Sequence, residues 1–387
     1  MKKICIVTGT RAEYGLLKPV IKRVFHSARL ELQLVVTGMH LSPEFGLTYQ
    51  EIEEDGYPIN AKIEMLLGAD TASGNTKSMG VALIGFADYF EINKPDILLI
   101  LGDRYEMLAV AAAAMMAQIP IAHIHGGETT EGAVDEAIRH SITKMSHLHF
   151  TSTEVYRKRV IQLGENPSRV FNVGALGVEN VKNVSLLEKE ELEKNIGFVF
   201  SGITLMVTYH PVTLEHMTAR EQFRTLLEVI EENKDIRVIF TKANSDTDGK
   251  IINEMIDAFA RVHGDRCVAF ASLGQVRYLS ALKYCSAVVG NSSSGIIEAP
   301  SFGVPTINIG DRQRGRVCAE SVIHCGNGKK DIEEALRVGL SPDFRAQIKN
   351  VRNPYEGIQT SKHIVDILCK ELQKGIEIKK TFYEVKV

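Results

Sequence analysis

Short apolar runs alternate with amphipathic stretches along almost the whole chain. In the first half, Lys3–Thr8, Gln33–Thr37, Asp96–Leu101, Pro120–His125, His149–Ser152 and Val170–Val173 read as strands. Helical patterns such as Tyr14–Phe25 and Glu106–Gln118 lie between them. The charged stretch Glu188–Lys194 interrupts the pattern, and the alternation restarts with strands at Leu205–Thr208, Arg237–Thr241, Cys267–Phe270, Ala287–Val289 and Thr306–Ile309. Strand–helix alternation of this kind predicts the α/β class, with parallel, doubly wound sheets. Two similar domains are expected, over 1–180 and 190–359, joined near residues 180–200. Ser361–Lys374 reads as an amphipathic helix with Ile364, Ile367, Leu368 and Leu372 on one face.

Composition narrows the class without choosing a function. The 387 residues suffice for two cores, and 44% hydrophobic with 24% charged residues excludes disorder and fibrous architectures. Forty-five basic against 48 acidic residues leave a net charge of −3, which disfavours nucleic acid or an anionic membrane as partner. Cys5, Cys267, Cys285, Cys318, Cys325 and Cys369 are scattered and form no Cys-x-x-Cys. Reduced thiols, a cytoplasmic location and no thiolate metal site are expected. The longest apolar run, Leu108–Ala117, falls far short of the roughly 20 residues that span a bilayer.

In open α/β sheets, ligands bind beyond the carboxyl ends of the strands, so the residues following each strand carry the functional reading. Thr8-Gly9-Thr10-Arg11-Ala12-Glu13-Tyr14-Gly15 offers a tight turn and a helix start suited to an anion, or simply a helix start with a surface arginine. It is not the Gly-x-Gly-x-x-Gly fingerprint, and no phosphate-binding Gly-x-x-x-x-Gly-Lys-Ser/Thr loop occurs. Gly102-Asp103-Arg104 follows one strand and His123-Ile124-His125-Gly126-Gly127-Glu128 ends the next. His123 and His125, two apart on a strand, should share a face. That face could belong to a ligand-binding loop or to a metal site. Asp135 and Arg139, four apart on the following helix, permit a surface pair. Asp103, Glu128 and Asp135 all fall near one sheet edge, and crowded carboxylates shift one another's pKa toward acid–base work.

In the second half, His210-Pro211 ends a strand, and Lys242-Ala243-Asn244 ends another. The run Gly290-Asn291-Ser292-Ser293-Ser294-Gly295, with Glu298 just after it, reads as an anion cradle in which the carboxylate could take a diol, or as a serine-rich helix cap. Arg312, Arg314 and Arg316 follow, and guanidinium is the natural partner of a diphosphate. These pieces predict a nucleotide-diphosphate site on the second domain, facing an acid–base cluster on the first across a cleft.

The same ordered motifs, together with Ile138-Arg139-His140-Ser141-Ile142-Thr143-Lys144, resemble the UDP-N-acetylglucosamine 2-epimerases, closest to the hydrolysing branch that feeds sialic-acid and related nonulosonate synthesis. The resemblance runs from residue 3 to about residue 370. It implies two Rossmann-like domains in the glycosyltransferase-B arrangement, an active site in the interdomain cleft, and a C-terminal helix, 360–387, crossing back onto the first domain. It implies that Arg11, Asn244, Ser292, Ser293, Glu298 and Arg312 hold UDP, with Arg104 and Arg139 supporting the sugar. Asp103, Asp135 and His210 match positions regarded as catalytic. Several relatives carry a glutamate where this chain has His125, so either His125 or Glu128 takes that role.

The implied chemistry is elimination of UDP to a 2-acetamidoglycal, followed by hydration to UDP and free N-acetylmannosamine. It needs no cofactor and no metal. A homo-oligomer, dimer or tetramer, is expected by analogy. The competing readings are the same chemistry on UDP-2,4-diacetamido-2,4,6-trideoxyglucose, a non-hydrolysing epimerase, and a glycosyltransferase of the same architecture. A metal-dependent hydrolase built on His123 and His125, and a nucleotide-sugar sensor, complete the set.

Overall fold

A computed structural model describes residues 1–68, 71–131, 133–212, 219–243 and 249–385. Two compact units emerge. Unit 1 comprises Met1–Glu128, Val134–Asn180 and Tyr355–Val387; unit 2 comprises Thr129–Ala133 and Val181–Pro354.

Unit 1 holds a parallel sheet of seven strands: β1 (Lys2–Thr8), β2 (Leu30–Thr37), β3 (Ile59–Ile63), β4 (Ile97–Leu101), β5 (Ile121–Ile124), β6 (Leu148–Thr151) and β7 (Val170–Asn172). Their spatial order is β3-β2-β1-β4-β5-β6-β7. Alternation along β1 builds a core on both faces. Ile4 and Ile6 pack with Tyr14, Leu17 and Val20 of the Arg11–Phe25 helix, while Cys5 and Val7 pack with Phe86 and Val110 on the opposite side. A strand covered on both faces has no polar side to show, which is why these strands read as continuous apolar runs.

Unit 2 repeats the plan with β8 (Ile203–Thr208), β9 (Ile236–Thr241), β10 (Cys267–Phe270), β11 (Ala287–Gly290), β12 (Thr306–Ile309) and β13 (Val322–Cys325). The order is β10-β9-β8-β11-β12-β13, again all parallel. In each sheet the strand order reverses beside the first strand, between β1 and β4 and between β8 and β11. That reversal leaves a crevice at the carboxyl ends, where ligands of doubly wound sheets bind.

Two strands escape the sequence pattern, β3 and β13. Both are edge strands with partly exposed positions, so polar residues such as Asn60, Lys62 and His324 break the apolar signal. The predicted Pro120–His125 strand is also too long. β5 ends at Ile124, and His125 takes φ +66°, so the alternation argument that put His123 and His125 on one face does not apply.

The C-terminal helix is shorter than the expected 360–387. It spans Thr360–Lys374, and Gly375, with φ +82°, ends it. Ile364, Leu368 and Leu372 enter the core against the Arg11–Phe25 helix, and Arg23 Nε donates to Ser361 Oγ at 2.8 Å. The segment after it is tied to the same unit. Lys380 Nζ lies 2.8 Å from the buried Glu165, whose other oxygen takes Lys144 at 2.6 Å.

Candidate functional site

In unit 1, the loop after β4 carries Asp103 and Arg104, and their surroundings are built from buried partners. Arg139, on the Asp135–Met145 helix, is 1% exposed. Its guanidinium bonds the Asp103 carboxylate, Glu136 Oε2 at 3.0 Å and the Glu128 carbonyl at 2.9 Å. The 135/139 spacing does not announce these partners, which come from other stretches of the chain and from the next turn of the helix. A buried guanidinium needs several acceptors to offset its lost hydration, and Asp103 and Glu136 supply two carboxylates. Arg104 forks onto the fully buried Glu106, with Nη2 3.0 Å from Oε1.

The His123–Glu128 run divides its labour. His123 is fully buried, with Nε2 2.7 Å from the Gly102 carbonyl and Nδ1 3.3 Å from Thr143 Oγ1. Both ring nitrogens are engaged, so this histidine has none to offer a metal. Among the described residues, no group of three or more His, Cys, Asp or Glu could hold an ion. Glu128 is 3% exposed and accepts from Ser152 Oγ at 2.6 Å, while His125 Nδ1 stands 3.8 Å from the same carboxylate oxygen. Asp135 opens its helix, half-buried.

The turn after β1 is a capping box. Thr10 Oγ1 accepts from Glu13 N, and Glu13 Oε2 accepts from Gly9 N at 2.7 Å and Thr10 N at 3.2 Å. The Gly9, Thr10 and Glu13 amides of this turn are thus already used within the protein. Burial and the nearby Glu106 push the Glu13 pKa up to about 7, against the pull of Arg104. Arg11 is half-buried and pairs with Glu51 at 2.6 Å.

In unit 2, the centre of the site is Asn291, fully buried at the end of β11. Its side chain grips both main-chain groups of His210, Oδ1 accepting from His210 N at 2.7 Å and Nδ2 donating to His210 O at 2.8 Å. Its own carbonyl accepts from Arg312 Nη1 at 3.1 Å and Gln313 Nε2 at 2.8 Å. The sequence singles out His210 and Arg312 but misses the asparagine that links them. Gly290 makes this approach possible, because a Cβ there would stand 2.0 Å from the Thr208 carbonyl.

Ser292 caps the five-residue Ser293–Ile297 helix, its Oγ 3.4 Å from Ser294 N, and Tyr278 donates to Ser294 Oγ at 2.7 Å. Ser292, Ser293 and Glu298 are half-buried around this turn. Of the three arginines expected beside it, Arg312 bonds to Asn291 at its start. Arg314 lies 3.5 Å from Glu131, and Arg316 donates to the Thr129 carbonyl at 2.9 Å, both partners in the 129–133 segment. Asn244 lies outside the described residues.

Each sheet therefore gathers its polar side chains at the carboxyl ends beside its strand-order reversal, the acids on unit 1 and the serine turn on unit 2. The family model described as UDP-N-acetylglucosamine 2-epimerase matches residues 22–369. A Campylobacter jejuni protein named GDP/UDP-N,N'-diacetylbacillosamine 2-epimerase (hydrolyzing) is 45% identical over 344 residues, 89% of each chain. The Escherichia coli polysialic acid biosynthesis protein P7 is 40% identical, over 100% of this chain and 98% of its own. The crystal structure of Neisseria meningitidis UDP-GlcNAc 2-epimerase bound to UDP-GlcNAc superposes with a TM-score of 0.78 at 20% identity, covering 95% of this chain and all of that one, which speaks for the fold. Motif order, paired parallel sheets and a match along nine-tenths of the length agree, and the chain belongs to the UDP-N-acetylglucosamine 2-epimerase family.

Proposed function

We propose that this chain is a hydrolysing UDP-sugar 2-epimerase that converts UDP-N-acetylglucosamine and water to UDP and N-acetylmannosamine, for sialic-acid or related nonulosonate synthesis. The observation that carries the reading is Asp103 at the strand-order reversal, its carboxylate set by the buried Arg139. A base removes the proton at C2 while the C1–O bond breaks and its electron pair leaves with UDP. Water then adds its oxygen to C1 of the glycal, and a proton returns to C2 from the opposite face.

Asp103 and Asp135 act as the acid–base carboxylates, and His210 shares in the catalytic work. The contact between Glu128 and Ser152 supports His125 in the place of the relatives' glutamate, with Glu128 steadying the imidazole. Ser292, Ser293, Glu298 and Arg312 hold UDP, joined by Arg11 and Asn244. Donors around the departing diphosphate favour its charge as the bond breaks. Arg104 and Arg139 support the sugar from behind, through Glu106 and Asp103.

The enzyme works in the cytoplasm, in keeping with six cysteines that form no disulfide and with the lack of any membrane-crossing helix among the described residues. It assembles as a homo-oligomer. Exposed Val81, Ile84, Met115 and Met116 on the Ala72–Asn93 and Tyr105–Met116 helices support that state.

The test is proton and phosphorus NMR of the protein with UDP-N-acetylglucosamine in D2O. Free UDP with N-acetylmannosamine deuterated at C2 is expected. UDP-N-acetylmannosamine without free UDP would point to the non-hydrolysing reaction instead. A second sugar is favoured by one observation, the 45% identity to a protein named for N,N'-diacetylbacillosamine, which is 2,4-diacetamido-2,4,6-trideoxyglucose. Turnover of that UDP-sugar alone would reassign the substrate and leave the chemistry intact.

A further inference from the structure

The mechanism above leaves His123 without a role, although it sits in the densest motif of unit 1. The Gly102 carbonyl can only accept, so Nε2 at 2.7 Å must carry the imidazole proton. Nδ1 then accepts from the Thr143 hydroxyl. One residue along β5, the Ile124 carbonyl takes the Gly102 N–H at 3.0 Å. Both main-chain groups of Gly102 are thus held by consecutive residues of the neighbouring strand, and Gly102 is the residue before Asp103. Thr143 belongs to the same helix as Arg139, one turn further on. A Cβ at Gly126 would stand 3.0 Å from both His123 Nδ1 and Thr143 Oγ1, so a glycine there leaves this pair its place.

We propose that His123 is a positioning residue for Asp103: it pins the main chain of the β4 loop while Arg139 pins the carboxylate. The inference rests on the reading of Asp103 as catalytic. Burial pushes the His123 pKa down to about 3, with His149, His125 and His140 also disfavouring a second proton against the Gly102 bond. The ring is therefore a fixed donor rather than a carrier of protons. Without that donor, the half-buried loop carbonyl loses its partner and the Asp103 main chain is free to shift. A displacement near 1 Å at a reacting group costs on the order of 100-fold in rate.

The test is a double-mutant cycle on the full chain, using whichever UDP-sugar it turns over and measuring UDP affinity by calorimetry. His123→Phe is expected to lower kcat about 30-fold with KM and UDP affinity within about threefold of the parent. In the Asp103→Asn background the same change should cost less than about threefold, because the residue being positioned is already disabled. His123→Gln, whose amide can still donate toward Gly102, should recover most of the loss and leave the shape of the pH–rate profile unaltered. Where His123→Phe fails to fold, Thr143→Val reads the same coupling through Nδ1. Multiplicative losses in the cycle, or a limb of the pH–rate profile lost with His123→Gln, would overturn the positioning role while leaving Asp103 in place. Near-normal turnover in Asp103→Asn alone would remove the assignment of Asp103, and this inference with it.

Discussion

The two sheets share one strand order and treat their carboxyl ends differently. In unit 1 the charged groups there are already matched inside the protein: Arg139 with Asp103 and Glu136, Arg104 with Glu106, Glu128 with Ser152. In unit 2 the buried Asn291 side chain orders main chain, and the serines of the turn remain half-buried. A group that must meet a reacting carbon gains from being fixed beforehand in a low-dielectric setting, since nothing then has to reorganise as the bond breaks. A group that meets a ligand carrying its own charge can be ordered by that ligand. Unit 1 should therefore govern turnover, and unit 2 affinity.

The largest break in that division should come from Asp103→Asn. Turnover is expected to fall by about 1000-fold with UDP affinity within threefold, as measured by steady-state kinetics and calorimetry. An equal loss in both would show that the acid serves binding. Asn291→Ala comes next and sharpens the other side. It removes two buried bonds to His210, and a loss of about 2 kcal/mol in chemical denaturation is expected, with kcat reduced as well. Stability unchanged by this substitution would mean that the clamp is ornamental. Ser292→Ala should raise KM about fivefold with a smaller loss in kcat, beside a helix-cap loss of about 1 kcal/mol.

The smallest effect is one of pH. Glu13 is buried with a pKa raised to about 7 from an ordinary 4.5, so the folded state favours its protonated form. That contribution to stability is complete below pH 4.5 and fades as pH rises through 7. Glu13→Gln keeps an acceptor for the Gly9 and Thr10 amides and does not ionise. Its melting temperature should gain on the parent steadily between pH 5 and 8; a constant gap would sink the idea.

Much of this was legible in the residue pattern, and the gaps have local causes. Strands buried on both faces announce themselves as unbroken apolar runs, whereas β3 and β13 stand at sheet edges and mix in polar residues. The acids and serines of the site follow strands whose ends are readable, so their positions could be named. Their partners could not. Arg139 reaches Asp103 across 36 positions, and Asn291 reaches His210 across 81. Helical spacing offers Asp135 to Arg139, but it cannot name the Asp103 carboxylate and the Glu128 carbonyl that the buried guanidinium also takes. The paired histidines misled for a related reason. Their alternation presumes a strand through His125, and the chain leaves the strand one residue earlier.

Unit 1 is assembled from stretches that lie far apart along the chain, and this sets a timetable during synthesis. Ile364, Leu368 and Leu372 complete the core that Ile4, Ile6 and Tyr14 begin, and Lys380 reaches back to Glu165. The stretch that forms nearly all of unit 2, Val181–Pro354, leaves the ribosome before those residues do. The first unit to be started is the last to be finished. Until its closing helix emerges, the apolar surface that Ile364, Leu368 and Leu372 cover beside the Arg11–Phe25 helix waits exposed, and the nascent chain depends on speed or on a chaperone to keep it from other partners.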